Sequence, residues 1–297
     1  MKRRIRTWGP SLLLISPSLI ALGWFVYYFM AWNVRMSLSS WQGLNPTNDF
    51  VGLRIYRDLF DNERFQIDLR NILVFTGVFV VGSLVVGFFM ALLLEKGVRF
   101  ESFFRSVYLF PMAISFIATA IIWRWLLNNS TGSDTTGINR IFDALGVGFL
   151  KSDWHKSDSK WAIAAIALPA GWALSGYVMA LFLAGMRGVP EELREAARVD
   201  GANEPRVFWH VVRPMLYPVI MSAIVILAHI SLKTFDLVYS IDSGNLRIDT
   251  PALYMYHTAF RDYFFARGAA IATLMLLGIS VVIIPYIWYS VRTERRK

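Results

Sequence analysis

The feature of this sequence that most restricts its fold is a series of six long apolar runs that contain no Asp, Glu, Lys or Arg. A helix that crosses a membrane needs about 20 predominantly apolar residues, and each run approaches or exceeds that length. The runs are Thr7 to Val34, Asn71 to Leu94, Ser106 to Trp123, Trp161 to Met186, Met215 to Leu232 and Gly268 to Val291. Six buried helices of a soluble protein would need a polar shell, and only 17% of the residues are charged, against about 25% in soluble domains.

We therefore predict an all-α polytopic membrane protein in which residues 1–297 form one domain of six transmembrane helices. With their flanking residues, the predicted spans cover residues 8–34, 71–94, 104–127, 161–186, 215–238 and 268–291.

The basic residues between the spans predict the orientation of the chain. The N-terminus, the Glu95–Arg105 turn, the loop of residues 187–213 and the C-terminal tail together hold 16 basic and 8 acidic residues. The segments on the other side hold 12 of each. Because Lys and Arg are enriched in cytoplasmic loops, both termini are predicted to be cytoplasmic. The net charge of +9 is thus explained by topology, and no nucleic-acid partner is predicted.

The sequence lacks the motifs of the common catalytic and metal sites. It has no phosphate-binding P-loop, no G-x-S-x-G nucleophile motif and no cysteine. Its four histidines are scattered without the spacing of a metal site: His155, His210, His229 and His257. We therefore predict no catalytic, cofactor-binding or metal-binding residue, and a conduit rather than an enzyme.

The loop of residues 187–213 has the pattern of two short helices separated by a turn. Pro190 and the two glutamates after it suit the first turn of a helix, and Gly201 suits its left-handed end. Pro205 suits the start of a second short helix, predicted to end at Pro214. The alanine pair at 196 and 197 leaves a flat surface that a partner can approach. An ordinary amphipathic connector at the membrane surface would show the same pattern.

Several motifs in and after this loop carry a family resemblance. They are Glu195-Ala196-Ala197, Asp200-Gly201-Ala202, Phe208-Trp209, Pro214, Lys233 to Tyr239, Thr250-Pro251 and Gly268 to Ala272. Together with the six spans, they resemble the permease subunits of binding-protein-dependent ABC importers, of the maltose/glycerol-phosphate type of sugar permease. Arg213 departs from the pattern, because the family commonly has an apolar residue before this proline.

The resemblance implies the type I permease fold of ABC importers, with cytoplasmic EAA coupling helices, in a bacterial inner membrane. It implies that the chain pairs with a second permease subunit as a heterodimer and receives a sugar-like solute from an extracytoplasmic binding protein. A dimer of ATPase subunits, holding ATP and Mg²⁺, would drive transport. The positions implied to couple the permease to that ATPase are Glu195, Ala196, Ala197, Asp200 and Gly201.

Polar residues inside the spans are the candidates for solute contact, since they are costly in a membrane. The fifth span offers His229, Ser231, Thr234 and Asp236, and the fourth offers Trp172, Ser175 and Tyr177. The resemblance implies that Tyr177, Ser231 and Thr234 match the sugar contacts of the maltose-type permease. Two simpler interpretations stay open: Lys233 and Asp236 neutralise each other, and the Ser and Thr hydroxyls bond their own backbone.

Two other functions remain as alternatives at this point. An ion-gradient-driven carrier or channel for small polar solutes would transport without an ATPase and would commonly show an inverted repeat, which the sequence does not display. A membrane enzyme would need a convergent acid–base pair, which we do not find.

Overall fold

The computed structural model of the protein describes residues 13–47, 49–128, 130 and 135–294. Within these residues, five helices are long and apolar enough to cross a membrane, and a bent pair of shorter helices raises the number of spans to six. The predicted all-α fold with six membrane helices is therefore confirmed. Residues 8–12 of the predicted first span and the basic segment from Lys2 to Arg6 lie outside the described residues.

The helices are numbered here in chain order. They are α1 (Leu13–Ser37), α2 (Arg54–Phe60), α3 (Glu63–Glu95), α4 (Glu101–Leu109), α5 (Phe116–Leu126), α6 (Gly137–Ala144), α7 (Ala167–Arg187), α8 (Glu191–Val199), α9 (Glu204–Leu232), α10 (Asp236–Asp242), α11 (Pro251–Tyr256) and α12 (Phe265–Glu294).

The described chain divides into two compact units. One comprises the described residues up to Asn62 together with Tyr254–Leu274. The other comprises Glu63–Leu253 together with the described residues from Met275.

In the first unit, α1 is joined to the beginning of α12 by a side-chain amide. Asn33 Nδ2 donates to the carbonyl oxygen of Ala269 and to Thr273 Oγ1, both at 3.1 Å. Beyond the end of α1, the ring of Trp41 packs 5.0 Å from that of Phe265. No residue in the most apolar part of α1 is buried in protein, as befits a helix whose apolar side chains are solvated by lipid.

The core of the second unit is the contact between α3 and α7, which small residues allow to be close. A methyl group added at Gly87 of α3 would come within 2.7 Å of Val178 of α7. One added at Gly176 of α7 would overlap the main-chain carbonyl of Tyr108 at the end of α4. Helices in membranes associate by such close packing, because lipid leaves little hydrophobic drive between them.

The third span is broken rather than straight. Residues 101–113 and α5 meet at an angle of 98° across a short break. Pro111 lies in the last turn before the break, and Ile114 is extended. Ser115 then starts α5 as its N-cap, with Oγ accepting a hydrogen bond from the amide of Ala118 at 3.2 Å.

The fifth span begins earlier and ends earlier than the hydropathy predicts. The second short helix of the loop does not stop at Pro214, because α9 runs without interruption from Glu204 to Leu232. At its start, Asn203 caps the helix by accepting from the amide of Arg206 at 3.1 Å. After Leu232 the chain leaves the helix for three residues, and α10 begins at Asp236.

The loop helix α8 ends in a Schellman motif at Gly201. The amide of Ala202 donates to the carbonyl of Ala197, and the amide of Gly201 donates to that of Arg198, both at 3.0 Å. Gly201 has φ +85°, a left-handed conformation that costs other residues about 1–2 kcal/mol. The turn predicted from Gly201 is present, and its geometry explains why glycine occupies it.

Two arginines tie α8 to its neighbours. Arg194 donates to Glu95 Oε1 at the end of α3 at 2.8 Å and to the carbonyl of Met186 at 2.7 Å. Arg198 bonds Glu204 at 2.8 Å and Glu191 at 2.9 Å, and these carboxylates raise the pKa of its guanidinium. The Arg194–Glu95 pair is the more sheltered, with 16% and 20% of the two side chains exposed. Arg194 is therefore the principal anchor of α8 on the membrane helices.

Replacing Gly176 with alanine is expected to destabilise the second unit by about 1–3 kcal/mol, because α4 or α7 must move to accommodate the methyl group. Thermal unfolding of the purified protein in detergent measures the effect. Gly82→Ala on α3 is the matched control, since nothing lies within 4 Å of its added methyl group. Equal midpoints for the two variants would contradict the close approach at Gly176.

Replacing Arg194 with glutamine is expected to free α8 locally, because a sheltered, charge-assisted hydrogen bond contributes about 1.5–3 kcal/mol. Hydrogen–deuterium exchange of the amides of residues 191–199 is the measurement, and they should exchange at least tenfold faster. Arg198→Gln is the control and should change exchange much less, because its pairs lie at the exposed surface. The proposed anchor is wrong if Arg198→Gln has the larger effect.

Candidate functional site

A cavity of about 230 Å³ lies in the second unit, where α9 ends and α10 begins. Its polar lining comes from one stretch of chain, His229 to Asp236. Three other helices complete the wall: α3 with Phe75 and Phe79, α5 with its first residue Phe116, and α7 with Ala170. The two helix breaks described above thus both border the cavity.

The cavity offers hydrogen-bond donors and an acceptor side by side. Lys233 Nζ lies 3.1 Å from His229 Nε2, so that the ammonium group donates to the ring nitrogen. Asp236 is exposed at the first turn of α10 and is not joined to Lys233 by an ion pair in the described part of the chain. Lys233 and Asp236 therefore form no direct ion pair, and both groups border the cavity.

Aromatic rings form the apolar part of the wall. Phe75 and Phe79 are stacked with ring centres 5.6 Å apart and ring planes at 8°. Both are almost fully buried, so their positions are fixed by packing. Phe235 stacks on Tyr239 at 5.3 Å from the other side of the break. A cavity with convergent polar groups and flat apolar faces is the usual form of a small-molecule site.

The structure brings together three of the predicted solute contacts and separates the others. His229, Thr234 and Asp236 line the cavity. The Thr234 hydroxyl also donates to the carbonyl of Ile230 at 3.3 Å. Ser231 is fully buried and shares a hydrogen bond of 2.8 Å with Thr76, so it holds α9 against α3 instead of lining the cavity.

The three predicted contacts on α7 do not line the cavity. Ser175 is buried, Tyr177 is half-buried against the core, and Trp172 is exposed with its ring 6.1 Å from that of Trp123. Sequence reasoning also missed the phenylalanines of the wall. In the sequence these phenylalanines are marked only by being apolar and aromatic, and a phenylalanine that faces lipid has the same properties.

The second candidate site is the exposed face of α8. None of its residues is buried. Among the predicted coupling positions, Glu195, Ala196, Asp200 and Gly201 are exposed and Ala197 is half-buried. Apolar side chains extend this face, with Leu193 46% and Val199 87% exposed. A short helix that is anchored on one side and presents alanines, an acidic group and apolar side chains on the other is suited to protein contact.

Comparison with known proteins identifies the family. Residues 83–296 match the family model described as the binding-protein-dependent transport system inner membrane component. A probable ABC transporter permease protein of Pyrococcus horikoshii is 42% identical over 287 residues, covering 96% of this chain and 97% of its own length. The xylose/arabinose import permease protein of Haloferax volcanii is 34% identical over 288 residues, covering 95% of this chain and 86% of its own length.

A solved structure has the same fold. A chain of a bacterial ABC transporter involved in the import of the acidic polysaccharide alginate matches with a TM-score of 0.78, and 98% of each chain is covered. At 18% sequence identity this likeness concerns the fold, and it confirms the predicted ABC importer permease fold.

These findings also bear on the two alternatives. The relatives named here are described as ABC transporter or import permeases, and neither is described as an ion-gradient-driven carrier. The matched family consists of multi-pass inner-membrane transport subunits that carry no cofactor of their own, and it is not a family of enzymes. This chain belongs to the family of binding-protein-dependent transport system inner membrane components, the permease subunits of ABC importers.

Proposed function

We propose that this chain is one of two permease subunits in an importer of a sugar or sugar-like solute. The substrate class is inferred from the cavity at the end of α9, where hydrogen-bonding groups lie beside aromatic rings. Sugars present hydroxyl groups at their edges and apolar C–H faces, so this lining complements them. The xylose/arabinose import permease of Haloferax volcanii supports the same class.

In this proposal the solute contacts the polar side of the cavity directly. The Asp236 carboxylate accepts a hydrogen bond from a sugar hydroxyl, and the Lys233 ammonium group donates one. The His229 ring donates or accepts according to its tautomer, and the Thr234 hydroxyl oxygen accepts. The cavity is smaller than the roughly 300–1,000 Å³ of most drug-sized sites, which suits a single sugar ring. Contact of the solute with Tyr177, Trp172, Ser175 or Ser231 remains a prediction from sequence.

The exposed face of α8 is proposed to dock in a cleft of an ATPase subunit. A dimer of such subunits would bind ATP and Mg²⁺, and its closure would rock α8 and the membrane helices to which Arg194 attaches it. The coupling contacts would be Glu195, Ala196, Ala197, Asp200 and Gly201. The basic residues at this end favour placing it, with both termini, in the cytoplasm.

On the opposite side, an extracytoplasmic solute-binding protein is proposed to deliver the sugar. The second permease would complete the pathway as a heterodimer with this chain. The family description names the dependence on a binding protein, which supports this part of the assembly.

Replacing Asp236 with asparagine is expected to raise the solute concentration for half-maximal uptake about tenfold, because a charge-assisted hydrogen bond becomes a weaker neutral one. The amount of importer and its ATPase activity without solute should not change. Asp153→Asn is the control, since Asp153 is exposed in another loop and does not line the cavity. Solute recognition by Asp236 is excluded if uptake by the two variants has the same concentration dependence.

Replacing Glu195 with lysine is expected to detach the ATPase, because the reversed charge opposes a docking surface built for a carboxylate. A tagged wild-type chain should co-purify with a second six-span protein and a P-loop ATPase. The Glu195→Lys chain should retain the second permease and lose about nine-tenths of the ATPase. Asp58→Lys, a charge reversal at an exposed position of α2, should lose neither.

Two outcomes of this co-purification contradict the proposal at different levels. Recovery of the wild-type chain without any ATPase, together with uptake that persists when ATP is depleted, contradicts an ABC importer. Full retention of the ATPase and of solute-stimulated ATP hydrolysis by Glu195→Lys contradicts only the coupling role of Glu195.

A further inference from the structure

A second concave surface lies at the end of the helix bundle that carries α8, away from the cavity described above. It is an open groove of about 300 Å³ between α3, α7 and α9. Leu84, Val85 and Phe88 of α3, Phe182 of α7, and Trp209 and Arg213 of α9 are among the residues that line it. Except for Arg213 and the indole nitrogen, the side chains named here are hydrocarbon.

Aromatic packing fixes the floor of this groove. The ring of Phe88 lies 5.5 Å from that of Phe182 and 5.7 Å from that of Phe208. The first contact is edge-to-face and the second is tilted, and together they hold the three helices at a set spacing. An apolar groove with a packed floor does not retain water well, because water needs several polar partners.

The rim of the groove is basic. The guanidinium of Arg213 lies 5.0 Å from the ring centre of Trp209, which is itself 57% exposed. Arg206 is exposed seven residues earlier on the same helix. Among the described residues, no carboxylate lies within 4.0 Å of the Arg206 or Arg213 side chain. Arg213 at this rim therefore forms no ion pair within the described chain.

We propose that this groove binds an anionic phospholipid. One acyl chain lies along Leu84, Val85 and Phe88, and the phosphate of the headgroup is held by the guanidinium of Arg213. An arginine fork matches the geometry of a phosphate, and a tryptophan beside it suits the boundary between hydrocarbon and headgroups. Arg206, exposed seven residues earlier on α9, adds a second positive charge on the same helix and favours a headgroup with net negative charge over a zwitterionic one.

The experiment counts bound lipids on the purified importer complex. Detergent-purified, delipidated complex is titrated with phosphatidylglycerol or phosphatidylcholine, and native mass spectrometry measures the occupancy. We expect one phosphatidylglycerol per copy of this chain, bound more tightly than phosphatidylcholine and not displaced by inorganic phosphate. Arg213→Gln should weaken phosphatidylglycerol binding about fivefold. It should weaken phosphatidylcholine binding by a smaller factor, because the choline of that headgroup offsets part of the attraction between its phosphate and the guanidinium.

Two further variants separate charge from shape. Val85→Trp fills the groove and keeps Arg213, so it should abolish the tight binding of either lipid. Arg292→Gln is the matched control: Arg292 also stacks on a tryptophan, Trp288, at 3.4 Å, but it does not line the groove. Its lipid occupancy should equal that of the wild type, and gel filtration checks that every variant is intact.

Three results would overturn the proposal. The first is equal phosphatidylglycerol affinity in the wild type and Arg213→Gln. The second is equal affinity of the wild type for the two lipids. The third is efficient cross-linking of Val85→Cys to the second permease in membranes, which would show that a protein covers the groove. Because the sequence has no cysteine of its own, that label is unique in this chain.

Discussion

In a bilayer every main-chain amide and carbonyl must form its hydrogen bond within the protein. The structure of the second unit depends on this constraint most at the two places where its membrane helices break. At the break before α5, the Ser115 hydroxyl oxygen accepts from the amide of Ala118. At the break after α9, the Thr250 hydroxyl donates to the carbonyl of Thr234 at 3.3 Å. Both breaks border the same cavity, since Phe116 and Thr234 line it. The polar site is therefore located where irregular backbone is stabilised by protein rather than exposed to lipid.

The sequence predicts the spans because hydropathy measures transfer to lipid, but it does not predict these breaks. The apolar run from Ser106 to Trp123 continues through Pro111 and Ser115, and an N-cap serine inside such a run looks like one more tolerated small residue. Only the packing of α5 at 98° to the preceding segment makes the break visible. The sequence does not predict that phenylalanines line the cavity, for a related reason. Phe75 has the same composition signal whether it faces lipid, a neighbouring helix or a solute.

The loop of residues 187–213 was more predictable, because helix ends have local signals. Gly201 predicted the end of α8, and its φ of +85° shows that backbone geometry alone is enough to require glycine there. A loss of transport on replacing Gly201 would therefore not separate coupling from folding. Glu195 is exposed and forms no ion pair in the described part of the chain, so its replacement changes the surface of α8 without removing a structural contact.

The loop helix and the lipid groove share the same supports. Arg194 fastens α8 to the end of α3, and Arg198 fastens it to Glu204 in the first turn of α9. Helices α3 and α9 are also two of the three walls of the groove. Arg213 lies nine residues beyond Glu204 on the same continuous helix. A force applied to α8 is therefore transmitted to both walls. A lipid bound between α3 and α9 would resist changes in their spacing. The free energy of that contact would then contribute to the free-energy difference between the conformations of the transport cycle.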